Sequence, residues 1–363
     1  MSIKMDLKKE KIEIIEQIDT LTVNKIAKSI ASRIVDTFPG FYLDKNDIFA
    51  KLSKLNMYRA NMPDGIAEAC YFYKNTSIYF NSNISNDDLE EFAIHECIHY
   101  LQEKKNKRHK LVRMGISYNT ASKFKGIGIN EAAVQYMATK IIKIEPSFEK
   151  YYGITIHTPS PSYYPLECSL LNQINYFINE DILFRSTFFA NDFFKNAVIT
   201  HTSKAIYSQI ETLFDTILDL EEKIINTNNI ISSLNDGDLK VSKLQQKIEK
   251  YKEDIVYNYF QTQNIIIKNF FDYEFNRVDT VDKLELFRNK LYKFTNIMGG
   301  MKDYKFFDNY YVEMMNKIDH RYNVIENGGI ETALATKPTN YFISLIEKIK
   351  KIFIKDSAVK KEI

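Results

Sequence analysis

The segment HECIH at residues 95–99 sets two histidines four positions apart, with a glutamate directly after the first. On a helix, four residues make a little more than one turn, so His95 and His99 share a face and both imidazoles reach one Zn²⁺ at about 2.0–2.1 Å. Glu96 lies about 100° further round the helix. There its carboxylate reaches an activated water without binding the metal, the position a general base needs. A zinc centre that performs chemistry takes three protein ligands and keeps one position open, and HECIH supplies two. Candidates for the third are Glu131, in the first turn of a helix beginning GINEAAVQ, His109 in KNKRHK, and His157. His109 belongs to a basic run of the kind that is ordinarily solvated. Lone histidines such as His201 and His320 read as packed or surface residues, Tyr118 has no motif around it, and Cys97 falls opposite the histidine face as a small buried filler.

These residues need elements to hold them. Ser85 or Asn86 caps a helix whose first turn carries Asp87, Asp88, Glu90 and Glu91, acidic groups suited to the positive end of the helix dipole; the helix is expected to run to about 104. Before it, residues 66–82 hold two runs of aromatic and β-branched side chains around Lys74-Asn75, the signature of a hairpin. Isoleucines, with Leu21 and Val23, recur at helical spacing over 8–37, which predicts one or two amphipathic helices. The basic stretch 104–128 reads as a loop with a short helix in it, followed by a strong helix from Ile129. Polar punctuation over 157–165 precedes a third helix through Asn179. From Ser203 the spacing predicts two long antiparallel helices joined at 235–238, with more helices to the end.

Composition agrees with a folded, helix-rich chain: 363 residues, 45% hydrophobic and 26% charged, with only 11 Gly and 7 Pro to make turns. A formal charge of +2 offers no global field for a nucleic-acid backbone, so no nucleic-acid partner is expected. Cys70, Cys97 and Cys168 have neither disulfide-framework nor C-x-x-C spacing. With no signal-like apolar run and no stretch long enough to span a bilayer, they point to a cytoplasmic protein in a reducing compartment.

In order along the chain, ACYFYKNTSIYF, HECIH, GINEAAVQ and CSLLNQINYFI resemble the thermolysin-like zinc metallopeptidases, the gluzincins. The match covers roughly residues 66–179. It implies a zincin-like α+β fold, predominantly helical, with a small N-terminal sheet and a helical C-terminal extension. Residues 1–202 would form the metallopeptidase domain and 203–363 a helical domain. Zn²⁺ would be held by His95, His99 and Glu131, with Glu96 as general base and proton shuttle. Ala69 and Cys70 would lie on the substrate-binding edge strand. Gln135 stands where the family has an Asp bonded to a ligand imidazole. The family's oxyanion-stabilising His aligns with Tyr164-Pro165, which leaves Tyr163, Tyr164 or His157 as donor.

The expectation is therefore a zinc-dependent peptidase acting on a peptide or protein substrate, its metal site wholly within the first half. A catalytically inactive module of the same fold, binding a protein partner through the 203–271 helical hairpin, is the alternative. A helical scaffold with a coincidental HECIH is a third reading.

Overall fold

The computed structural model describes residues 7–9, 11–63, 68–120, 123–234, 239–301 and 304–327. The expected turn at 235–238 and the first residues of the expected hairpin, 66 and 67, lie outside them. The fold is mixed α and β and predominantly helical. Helix α1 (Thr20–Thr37) buries Val23, Ile26, Ile30 and Ile34 along one stripe, and Asp19 caps it by accepting from the Thr22 amide. Helix α2 (Lys45–Leu52) packs against it.

Where the periodicity of 8–37 predicts helix from the start, residues Glu13–Gln17 form a strand, β1. Its isoleucines fit either structure by local preference, and pairing with β2 (Asn56–Asn61), a partner over 40 residues away in sequence, decides between them. Strands β3 (Ala69–Phe72) and β4 (Ser77–Asn81) form the hairpin expected from the aromatic runs. The sheet order is β1-β2-β4-β3, with only β2 and β4 parallel, so β3 is an edge strand.

Helix α3 (Leu89–Leu101) carries HECIH and stops three residues short of the expected end. Ser85 closes the preceding turn by accepting from the Asp88 amide. Among its described residues the stretch 104–126 contains no helix; it folds with Glu103 into a small antiparallel sheet of β5 (Glu103–Lys105), β6 (Leu111–Met114), β7 (Ser117–Asn119) and β8 (Phe124–Lys125). These strands are two to four residues long, too short for an alternating pattern to declare itself. Helix α4 (Ile127–Ile142) follows, then a hairpin of β9 (Ser147–Tyr151) and β10 (Ile154–Thr158) that the sequence reading does not contain.

Helices α5 (Pro165–Asn175), α6 (Glu180–Phe188) and α7 (Phe193–His201) lead into two long helices, α8 (Lys204–Ser232) and α9 (Leu239–Phe275). Helices α10 (Val281–Phe294) and α11 (Phe306–Glu326) complete the described chain. The main core does not stop at residue 202: Ile129, Val134, Leu170 and Ile174 share one cluster with Phe214, Ile217, Tyr259 and Phe270. No described helix is long and apolar enough to cross a membrane.

Candidate metal centre

Helix α3 presents His95 and His99 on one face, and α4 packs across that face so that Glu131, one turn in from its start, meets both. The two Nε2 atoms stand 2.9 Å apart, each 3.2 Å from Glu131 Oε2. Ligands of a tetrahedral ion with bonds near 2.1 Å lie about 3.4 Å apart, so this triangle fits one ion with little movement. The chemistry fits as well: two nitrogen lone pairs and a carboxylate oxygen so close together repel one another unless a proton or a cation lies between them. The three residues can hold a metal ion, and no other group of three or more suitable side chains occurs among the described residues. Burial pushes the Glu131 carboxyl up, but the neighbouring His99 and hydrogen bonds from both imidazoles outweigh it and hold it well below the usual carboxylate range.

Each imidazole is steered from its other nitrogen. Gln135, one turn after Glu131, faces His95 Nδ1 with Oε1 at 2.9 Å, so Nδ1–H donates to it, which leaves Nε2 as the nitrogen that would give its lone pair to an ion in place of the hydrogen bond to Glu131. The Gln135 amide nitrogen donates to Ser160 Oγ, which donates to the Tyr163 carbonyl; the histidine is thereby tied to the loop before α5. His99 Nδ1 meets the Gln102 amide at 2.9 Å. With Nε2 of Gln102 toward the ring, its buried Oε1 has no partner. Exchanging the isosteric ends of that amide satisfies Oε1 and leaves the His99 Nε2 lone pair free for a metal. Gln102 escapes the sequence reading, although its position three residues after His99 on the same helix was the available signal.

Glu96 stands beside the triangle without joining it, and its Oε2 accepts from the Tyr71 amide of β3 at 2.6 Å. Burial pushes its carboxyl up to about 7, with the His95 charge opposing and Glu131 assisting the rise, so both protonation states are accessible near neutrality. On β3, the Glu68 carbonyl accepts from Asn81 of β4. The alternation of an antiparallel ladder then aims the backbone groups of Ala69 and Tyr71 out of the sheet, with the Tyr71 amide bound to Glu96. Of the two residues expected on the substrate edge, Ala69 faces outward by this register and Cys70 pairs inward with Tyr79.

Tyr164 ends the loop before α5 in left-handed backbone (φ 49°), directly ahead of Pro165. Its ring lies over His95, centroids 5.9 Å apart and 25° from parallel. Burial, with Glu131, Glu96, Glu167 and Glu222 around it, raises its phenol well above the ordinary value, so it stays a hydrogen-bond donor. Tyr163 instead meets Glu68. His157 packs on Phe148 in the β9–β10 hairpin, centroids 5.0 Å apart, with a buried Nδ1 that has no partner. His109 is exposed in the β5–β6 turn and does not join the triangle. Tyr118 hydrogen-bonds Glu211 of α8.

The second half of the chain supports the third candidate ligand. Helix α4 has no side-chain cap of its own, and Asp215 of α8 supplies one, its two oxygens accepting from the Gly126 and Gly128 amides at 3.0 and 2.9 Å. A Cβ on Gly128 would come within 2.5 Å of the Phe214 carbonyl oxygen, so glycine there permits the close approach of α4 to α8. All three candidate ligands come from the first half of the chain, and α8 of the second half caps and packs against the helix that carries Glu131.

No protein-family model matches the chain, and comparison with curated proteins and with solved structures finds no match.

Proposed function

We propose that the protein is a zinc-dependent metallopeptidase of the gluzincin type. The observation that carries this reading is the convergence of His95, His99 and Glu131 from two helices, with Glu96 beside them bound to the amide of an edge strand. When bound there, zinc supplies Lewis acidity, polarising a carbonyl and acidifying water. The chain's own residues do the rest. Glu96 takes a proton from water on Oε1 or Oε2 and delivers it to the leaving amine, a cycle suited to a carboxyl poised near 7. The outward backbone groups of Ala69 and the Tyr71 carbonyl on β3 align an extended peptide, and Tyr164, kept protonated, donates to the oxygen on which charge develops. Gln135 and Gln102 fix the imidazole tautomers.

The protein should bind zinc at about one ion per chain, and a chelator should remove both the metal and any hydrolysis of peptides. Protein that binds no zinc after loading, or cleaves equally with chelator present, would overturn the proposal.

A further inference from the structure

The basic run 104–110, which the metal chemistry leaves unused, helps build a cavity of about 390 Å³ where the end of β3 meets the β5–β8 sheet. Tyr73 and Lys74 line it from the β3–β4 turn, Lys105 from β5, His109 and Lys110 from the β5–β6 turn, and Phe124 from β8. No acidic side chain lines it among the described residues, although Lys105 also reaches Glu103 at 2.7 Å. Three lysines and His109 line it together with Tyr73, Leu111 and Phe124 and the polar Thr76 and Asn119, a mixture that accepts a carboxylate on a short carbon stem.

Position gives this cavity a meaning that surface lysines alone do not have. Glu96 touches the edge strand at Tyr71, and Lys74 lies three residues further along the chain, in the turn that follows β3. At the opposite end of the same strand Glu68 lies against Tyr163, with Glu91 near by. The edge that passes the metal centre is thus cationic at one end and anionic at the other.

We infer that this cavity is a substrate subsite for an acidic residue, so that the proteins cleaved carry Asp or Glu near the scissile bond, on one side only. The inference rests on the peptidase reading above for its catalytic consequence, but not for the binding itself. Neither a nucleic acid nor a lipid surface suits the cavity as well, because it is a single recess beside the end of a strand on a chain of net charge +2.

The test uses the full-length zinc-loaded protein and a degenerate peptide mixture, with cleavage sites read by mass spectrometry. Asp and Glu should be enriched on one side of the cut. The ratio of kcat/KM for an acidic peptide to that for its Asn/Gln counterpart should fall about five- to tenfold in the double variant Lys105→Gln/Lys110→Gln and should shrink with added salt. Cleavage without acidic enrichment, or an unchanged ratio in the variant, overturns the inference while leaving the peptidase reading intact. If the wild type cleaves nothing, that reading fails and binding decides: fluorescent acidic and neutral decapeptides are titrated into Glu96→Gln protein with and without the two lysine changes. Tighter binding of the acidic decapeptide that is lost with the lysines sustains the subsite, and equal binding of the two overturns it. Loss of binding to phosphatidylserine vesicles or single-stranded DNA in the lysine variant, with peptide binding unaltered, also overturns it.

Discussion

At the scale of single residues, the centre separates ligands from the groups that aim them. His95→Ala and His99→Ala should each abolish the one-to-one zinc stoichiometry, because two remaining ligands rarely retain the ion, and Glu131→Ala should weaken it. His109→Ala should leave metal content unchanged; the opposite pattern for His109 and Glu131 would move the third ligand. Gln135→Ala and Gln102→Ala act through the imidazoles they orient, and each should weaken metal affinity about 10- to 100-fold by calorimetric competition. Of the three candidate oxyanion donors, Tyr164 alone packs on the His95 ring. Tyr164→Phe should lower kcat by about 10²–10³ with KM and zinc content little changed. Tyr163→Phe and His157→Ala should stay near wild type, and a reversal of that order would transfer the role.

At the scale of elements, what the sequence disclosed follows from how local each signal is. HECIH on α3, GINEAAVQ on α4 and the aromatic hairpin are all written in contiguous residues with fixed spacing, so they are legible one segment at a time. The β5–β8 sheet and β1 are not, because strands of two to five residues acquire their identity from partners elsewhere in the chain. Nor could spacing reveal that Asp215, more than eighty residues downstream, caps the helix that carries Glu131. Asp215→Ala should cost about 1–2 kcal/mol in urea unfolding and weaken zinc binding as well, since the first turn of α4 loosens. Gly128→Ala should cost about 1–3 kcal/mol by forcing α4 away from the Phe214 carbonyl. Wild-type stability in both variants would show that α8 does not hold the site helix.

At the scale of the whole molecule, one core joins the site helices to the long α8–α9 pair, and buried charge inside it sets a pH dependence. Burial pushes the Glu167 carboxyl up to about 7, and burial together with the Glu167 carboxyl raises Glu221 of α8 well above the ordinary carboxylate value. A carboxyl whose folded value exceeds its unfolded value keeps its proton in the native state while the unfolded chain releases it. The stability this confers is present in full below about 4.5 and is lost as pH rises through about 7. Glu167→Gln should therefore flatten the decline in the melting temperature of the metal-free protein between those values. An unchanged slope would show that this carboxyl does not titrate in that range.

The central claim is that Glu96 performs proton transfer for hydrolysis at a zinc ion held by His95, His99 and Glu131. Its most direct measurement is mass-spectrometric detection of cleavage in an unbiased peptide mixture by wild type and Glu96→Gln at equal zinc content. The predicted result is cleavage by the wild type and a loss of at least about 10²-fold in the variant, the upper contribution typical of a positioned acid–base group being about 10⁴. Full zinc occupancy with no cleavage by the wild type, or equal cleavage by the two proteins, would contradict it.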